Sequence, residues 1–323
     1  MTTILLALLA GLASAEWTHP PTGLKPFRIV GGDEATPFEH SFVVVVAYGD
    51  GEELWSQATC GGSLIGDGSV VLTAAHCVET NKGKPVKPKK LTMAIHRHDL
   101  VADSDEHECS ALIDPVKVVL HPDWKDGAGV DAALIFLEEA APCVADGSGR
   151  TKTARLADAD DGDFAGDRAM TMGWGATDPD GFEYPDKMRE VEVGVIENAL
   201  CEDLYEDVYY EDVIFETDVC AREQGKDSCY GDSGGPLVVG DTQIGIVSWG
   251  GERCATFDEP GIYARVSEIR DWIDAEIDNF GAGDEDGDAQ CDEPDDKSAS
   301  KCEKWLEKGR KKCACTFQSC FSD

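Results

Sequence analysis

Short β-branched runs separated by Gly, Asp and Pro clusters recur along most of this chain, and that punctuation restricts its fold more than any other feature. The runs are Ser41-Phe42-Val43-Val44-Val45-Val46, Val70-Val71-Leu72, Val116-Lys117-Val118-Val119-Leu120, Ala132 to Leu137 and Ile244-Gly245-Ile246-Val247-Ser248. Branched side chains suit a pleated surface, and runs this short between turn residues read as strands. Many such strands, with almost no long helical period, predict an all-β sandwich or barrel. One stretch differs. Val266, Ile269, Trp272, Ile273 and Ile277 recur at spacings of three and four, which gives a helix one apolar face. Gly281 is expected to stop that helix. With 323 residues the chain can bury a sizeable core, as one large domain or two modest ones.

The two ends read differently from the middle. Ile4 to Leu12 is a short apolar run followed by Ala13-Ser14-Ala15, which predicts a secretory signal, residues 1–15, cleaved after Ala15. The run is too short to span a bilayer, and no later stretch is long and apolar enough, so a soluble, secreted extracellular protein is expected. Residues 16–28 contain Pro20, Pro21 and Pro26 and no apolar period, and read as an extended linker. Residues 281–290 are Gly- and Asp-rich and read as a flexible acidic linker. Residues 291–323 hold five of the 13 cysteines, with Lys301, Lys304, Lys308, Arg310, Lys311 and Lys312, and read as a small disulfide-stapled tail. Cysteines in an exported chain point to disulfides rather than metal sites, and their odd number leaves at least one without a partner in the chain. The tail's own partner is left unassigned.

The formal net charge of −36 argues against nucleic acid or heparin as a partner. Asp-Gly-rich loops such as Asp158 to Asp167 account for it as a well-solvated surface. Salt tolerance, or steering of basic substrates toward a negative cleft, is the alternative. No glycosylation sequon begins at Asn81, Asn198 or Asn279.

Three local sequences carry the candidate chemistry. A serine hydroxyl is a poor nucleophile at neutral pH and needs an adjacent base that a third group orients. Thr73-Ala74-Ala75-His76-Cys77 offers His76 as the base. Asp131-Ala132-Ala133-Leu134-Ile135 places Asp131 at the mouth of an apolar strand, where a carboxylate is costly unless paired. Gly231-Asp232-Ser233-Gly234-Gly235-Pro236 offers Ser233 in a turn that glycines allow to be tight. Each alone is an ordinary residue in an ordinary place. Their order, His then Asp then Ser, separates this arrangement from other serine-nucleophile folds.

With these motifs, and with Ile29-Val30-Gly31-Gly32, Cys60-Gly61-Gly62-Ser63-Leu64-Ile65, Gly173-Trp174-Gly175 and Val247-Ser248-Trp249-Gly250, the chain resembles the trypsin/chymotrypsin family of serine endopeptidases from Ile29 to about Phe280. The resemblance implies two packed six-stranded antiparallel β-barrels with a C-terminal helix, and an active site in the cleft between them, over residues 29–280. It implies that His76, Asp131 and Ser233 are the catalytic triad, with the N–H groups of Gly231 and Ser233 as the oxyanion hole. Ser248, Trp249 and Gly250 would pair with the substrate backbone as an added strand.

The resemblance also implies activation by cleavage at Arg28-Ile29, after which the new amino group of Ile29 pairs with Asp232. Residues 16–28 are then a propeptide, removed by a trypsin-like protease or by another copy of the same enzyme. Asp227 would lie at the base of the primary pocket and select Arg or Lys, between walls at Gly250 and Gly261, with Tyr230 at the entrance. Pro260 stands where sodium-regulated relatives carry tyrosine. Expected disulfides are Cys60–Cys77, Cys201–Cys220 and Cys229–Cys254; a fourth family bridge is absent, with Ala169 and Val239 at its positions. Cys109 and Cys143 lie outside two consecutive strands, so antiparallel pairing of those strands would bring them together as a further bond. The acidic loop Asp99 to Glu108 falls near the family's calcium loop, but Leu100 and Ser110 occupy its outer ligand positions. No cofactor or metal is therefore expected, with calcium as the lesser alternative. Protein or peptide substrates are the expected partners.

Overall fold

The computed structural model describes residues 29–51, 53–102, 106–125, 128–144, 148–209 and 213–285. The expected signal, the propeptide with Arg28, the second half of the acidic linker and the cysteine-rich tail lie outside the described residues.

Seven strands form a first antiparallel sheet: β1 (Val43–Tyr48), β2 (Ala58–Ile65), β3 (Val70–Thr73), β4 (Leu91–Ile95), β5 (Ala111–Ile113), β6 (Pro115–Leu120) and β7 (Ala133–Leu137). Their spatial order is β5-β4-β1-β2-β3-β7-β6. The first and last members are separated in sequence only by Asp114. One bent segment therefore supplies both edges, and the sheet is a curled half-barrel. Leu64, Val71, Leu72, Leu134, Ile135 and Phe136 are fully buried on its two faces.

The second barrel is built from β8 (Arg168–Gly173), β9 (Arg189–Ile196), β10 (Asp218–Arg222), β11 (Pro236–Val239), β12 (Thr242–Trp249) and β13 (Gly261–Arg265). Their order is β9-β8-β11-β12-β13-β10, and β10 pairs back onto β9 to close the ring. β9 shows the period that drives this: Val191, Val193 and Val195 are buried while Glu192 between them is exposed. The fold is thus all-β, as expected.

Four disulfides brace the barrels: Cys60–Cys77, Cys109–Cys143, Cys201–Cys220 and Cys229–Cys254. The second follows from β6 and β7, which pair antiparallel with Ile135 opposite Val118, so the segments flanking that hairpin converge.

Two helices depart from expectation. The terminal helix α2 (Val266–Glu285) does not stop at Gly281 but runs through it. A mid-helix glycine costs only about 1 kcal/mol relative to alanine, and this helix is anchored by fully buried Val266, Ile269 and Ile273. It leaves the second barrel and packs on the first, with Phe280 against Phe136 at 4.3 Å and Trp272 against His121 at 4.7 Å between ring centroids. The residues expected to form a linker thus begin inside a helix. α1 (Asn198–Tyr209) was not expected at all. Its inward residues Cys201 and Tyr205 do lie at helical spacing, but the acidic residues between them obscure the pattern.

Candidate active site

Strand register brings His76 and Asp131 together. β3 and β7 are antiparallel neighbours with Thr73 opposite Ala133. His76 lies just beyond the end of one strand and Asp131 just before the start of the other, so both emerge at the same edge. Nδ1 of His76 lies 2.6 Å from Oδ2 of Asp131, and the His76 backbone N–H donates to Oδ1 at 3.0 Å. Asp131 is buried and accepts a third hydrogen bond, from Oγ of Ser248 at 2.6 Å. A bulge explains that last contact. Val247 pairs with Tyr263 and Trp249 with Ile262, leaving Ser248 as the extra residue on β12.

The electrostatics follow from these bonds. Burial raises the Asp131 pKa, but the His76 ring, Ser248 and the His76 N–H together hold it below the ordinary carboxylate value. Burial disfavours the His76 imidazolium, yet the hydrogen bond and charge of Asp131, with Glu79 beyond, leave its pKa raised.

Ser233 reaches this edge from the second barrel. Its carbonyl accepts the N–H of Gly61 on β2 at 2.8 Å, tying the turn to the first barrel. That carbonyl oxygen lies 3.6 Å from Sγ of Cys77, and Nε2 of His76 lies 3.7 Å from the same sulfur. Gly234 is required here: a Cβ would stand 2.2 Å from Oγ1 of Thr73 and 2.5 Å from the Gly61 carbonyl, at φ +79°. Among the described residues, no acceptor is bonded to the N–H of Gly231 or of Ser233.

Beneath the turn, Asp232 is wholly buried and accepts the N–H groups of Gly175 at 2.8 Å and Cys229 at 2.9 Å. Burial pushes its pKa up to about 7 despite those two bonds. Ile29 is also fully buried, packed in the core of the second barrel, and Val30 packs beside Ala176 and Cys229. The Ile29-Val30 segment therefore lies next to the groups that hold Asp232.

A cavity of about 350 Å³ opens beside Ser233. Asp227, Tyr230, Ser248, Trp249, Gly250 and Gly261 are among its lining residues. Asp227 is buried and accepts the Ala255 N–H at 2.9 Å, while its own N–H donates to the Val30 carbonyl. Burial, opposed by backbone hydrogen bonds and aided by the nearby Asp232, raises its pKa to about 7. A Cβ at Gly261 would lie 2.9 Å from Oδ1 of Asp227 and fill the space above the carboxylate. The Tyr230 hydroxyl donates to the Glu252 carbonyl at 3.0 Å, at the cavity's rim.

Of the sequence-predicted residues, His76, Asp131 and Ser248 are joined by hydrogen bonds, and Ser233 lines the same cavity as Asp227, Ser248, Trp249, Gly250 and Gly261; among the described residues no hydrogen bond joins the Ser233 hydroxyl to His76, and Arg28 lies outside them. Sequence reasoning missed the Ser248–Asp131 bond and the internal use of the acidic loop. There, the Glu106 carboxylate accepts the N–H groups of His98 and Asp99 at 3.1 and 3.2 Å. Arg97 donates to the carbonyls of Asp99 and Ala102 at 3.0 and 2.8 Å, placing the chain's own cation among the loop's oxygens.

The family model described as Trypsin matches residues 29–273. The chain belongs to the trypsin family of serine proteases. A trypsin of Saccharopolyspora erythraea is 35% identical over 262 residues, covering 79% of this chain and all of that one. A tryptase of Mus musculus is also 35% identical, covering 84% of this chain and 97% of its own. Among solved structures, neuropsin, a serine protease of mouse brain, superposes with a TM-score of 0.63 at 27% identity, covering 76% of this chain and 98% of that chain. Family membership makes the protein a serine endopeptidase, a hydrolase acting on protein substrates. No helix among the described residues is long and apolar enough to cross a membrane.

Proposed function

We propose that this endopeptidase is a secreted zymogen that cuts after Arg or Lys through His76, Asp131 and Ser233. The observation that carries the specificity is Asp227, buried at a cavity that opens onto Ser233 and is walled by Gly250 and Gly261. A carboxylate so placed is costly to ionise alone and favours a cationic side chain beside it.

In the proposed reaction, His76 Nε2 takes the Ser233 proton as Oγ attacks the scissile carbonyl carbon. Asp131 holds Nδ1–H and stabilises the imidazolium, itself steadied by Ser248. Charge on the former carbonyl oxygen is met by the N–H groups of Gly231 and Ser233; losing one such donor costs roughly 3 kcal/mol of barrier. His76 then gives its proton to the leaving amine as the C–N bond breaks. Water repeats the attack on the acyl-enzyme ester, with His76 as base, and frees Ser233.

For activation, cleavage at Arg28-Ile29 frees an amino group beside the buried Asp232 carboxylate. A buried charge lacking its partner is destabilised by roughly 3–5 kcal/mol, so the uncut form leaves the turn around Gly231 badly supported. Arg28→Gln is expected to stay unprocessed and inactive, and Ile29→Gly to mature with reduced activity. The test is limited trypsin treatment followed by an arginyl phosphonate and a peptide-library cleavage profile. Labelling of Ser233 only after processing, with cuts after Arg and Lys, supports the reading; full activity in unprocessed Arg28→Gln overturns it.

A further inference from the structure

Arg222 and Phe257 are not among the residues lining the Asp227 cavity, yet they brace the loop that bonds its carboxylate. That loop joins β12 to β13 and contributes Glu252 and Cys254 to the cavity's lining. Its first half is well tied. Arg253 pairs with Asp180 at 2.8 Å, the Cys254 N–H donates to the Pro179 carbonyl at 3.2 Å, and Cys254 is bonded to Cys229. Next comes Ala255, whose N–H donates to Oδ2 of Asp227.

Ala255 makes that bond in a conformation its side chain disfavours. Its φ is +62°, in the left-handed region that residues other than glycine adopt uncommonly. Such a backbone persists only where its surroundings over-determine it. The disulfide at Cys254 holds one side. On the other side, between Ala255 and Pro260, the hydrogen bond that ties the loop to another element among the described residues comes from Arg222: its Nη1 donates to the Phe257 carbonyl at 3.2 Å. The same guanidinium lies over the Phe257 ring, with Cζ 4.1 Å from the centroid, where the ring face attracts a cation. Phe257 keeps this place although it is 40% exposed. Arg222 is itself fixed. It ends β10 opposite Gly194 of β9, and its neighbour Ala221 pairs with Gly261, the cavity wall. The clamp therefore ties the loop to the strand that pairs with that wall.

We infer that Arg222 and Phe257 are positioning residues for recognition of the substrate's cation, holding Ala255 so that its N–H stays on the Asp227 carboxylate. A donated N–H favours the charged form of a carboxylate, which is the form that pairs with Arg or Lys. The other ionisable groups facing Asp227 are Asp232, the Tyr263 hydroxyl of β13 and Glu252 in the cavity's lining. None of these lies in the Ala255–Glu259 half of the loop, so the clamp acts through the Ala255 N–H.

This inference rests on the proposed cleavage after Arg or Lys, and the test separates the two. Benzamidine, an aryl cation small enough for the cavity, serves as competitive probe on processed enzyme across neutral and alkaline pH. A hydrogen bond to a charged group is worth about tenfold, so losing the Ala255 N–H should raise the Asp227 pKa by about one unit from its present value of about 7. Phe257→Ala should then weaken benzamidine about fivefold at neutral pH, because more of the free carboxylate is protonated, and the loss should vanish as pH rises and ionises both enzymes. With arginyl esters the same loss should fall on KM rather than kcat. Phe257→Tyr, which keeps the ring face, should behave as wild type, whereas Phe257→Leu, which keeps only bulk, should resemble Phe257→Ala. Arg222→Lys should retain part of what Arg222→Ala loses. Equal benzamidine affinity in wild type and Phe257→Leu, or a weakening that is the same at every pH, overturns the inference. Failure of the processed wild type to bind benzamidine and turn over arginyl esters removes the reading beneath it, and the inference with it.

Discussion

Replacing Asp227 by Asn should make the protein more stable and less active at once. Asn is nearly isosteric and can still accept the Ala255 N–H, but it carries no charge. Burial raises the carboxylate pKa from 3.8 to about 7. At 1.36 kcal/mol per unit, ionising Asp227 there costs about 4 kcal/mol at most, since the open cavity admits water. The sign of the effect is set by linkage. An unfolded Asp loses its proton near 3.8, while the folded one keeps it to about 7. The stability this confers is complete below the unfolded value and is lost as pH rises through the folded one. Urea unfolding should therefore show little difference between wild type and Asp227→Asn near the unfolded value. The difference should open in favour of the variant as pH rises, then level off above the folded pKa. For a domain of this size each kcal/mol is about 2–4 °C in Tm, so several degrees are expected. Over the same pH range the variant should lose kcat/KM on an arginyl anilide by roughly 10²–10³-fold, the scale of a buried pair that lacks one partner. It should also cease to prefer arginine over its neutral isostere citrulline. An Asp227→Asn enzyme within tenfold of wild type on the arginyl substrate, or a stability gap that does not change with pH, would refute the reasoning.

His76 must be neutral to act as base, and the net influence of Asp131 keeps its pKa above 6.5. The acid limb of the kcat/KM profile should therefore sit above that value, and a limb at or below it would contradict the pairing with Asp131. Ser248→Ala removes one donor from the Asp131 carboxylate; a hydrogen bond to a charged group is worth about 1.5 kcal/mol, so kcat should fall roughly tenfold with KM for small esters little changed. The Cys109–Cys143 bridge spans a sequence separation of 34. Its double alanine variant should lose about 3–4 kcal/mol in urea unfolding, the loop-entropy value for such a span, and an unchanged midpoint would show that the bond constrains little.

The sequence by itself determined the class of fold and the chemical types at the site. Strand periodicity is a local property, and runs such as Val43 to Val46 and Val70 to Leu72 became strands where they stood. His76, Asp131 and Ser233 could be picked out because their motifs occur together and in the order His, Asp, Ser. Local energies could not say where every element ends, however. Gly281 carries a stop signal that the buried face of α2 overrides, and the acidic residues of α1 hide the two inward positions that hold it. Which groups meet was decided only by tertiary structure. The register of β3 on β7 pairs His76 with Asp131, a bulge turns Ser248 onto the same carboxylate, and the closing of a loop around Glu106 draws Arg97 among its carbonyls. Trp55 and Tyr184 are far apart in sequence and carry no motif, yet both line a groove against Gly231. Residue type and period are fixed over a few positions of chain, whereas these contacts depend on how two barrels, folded from distant segments, come to rest against each other.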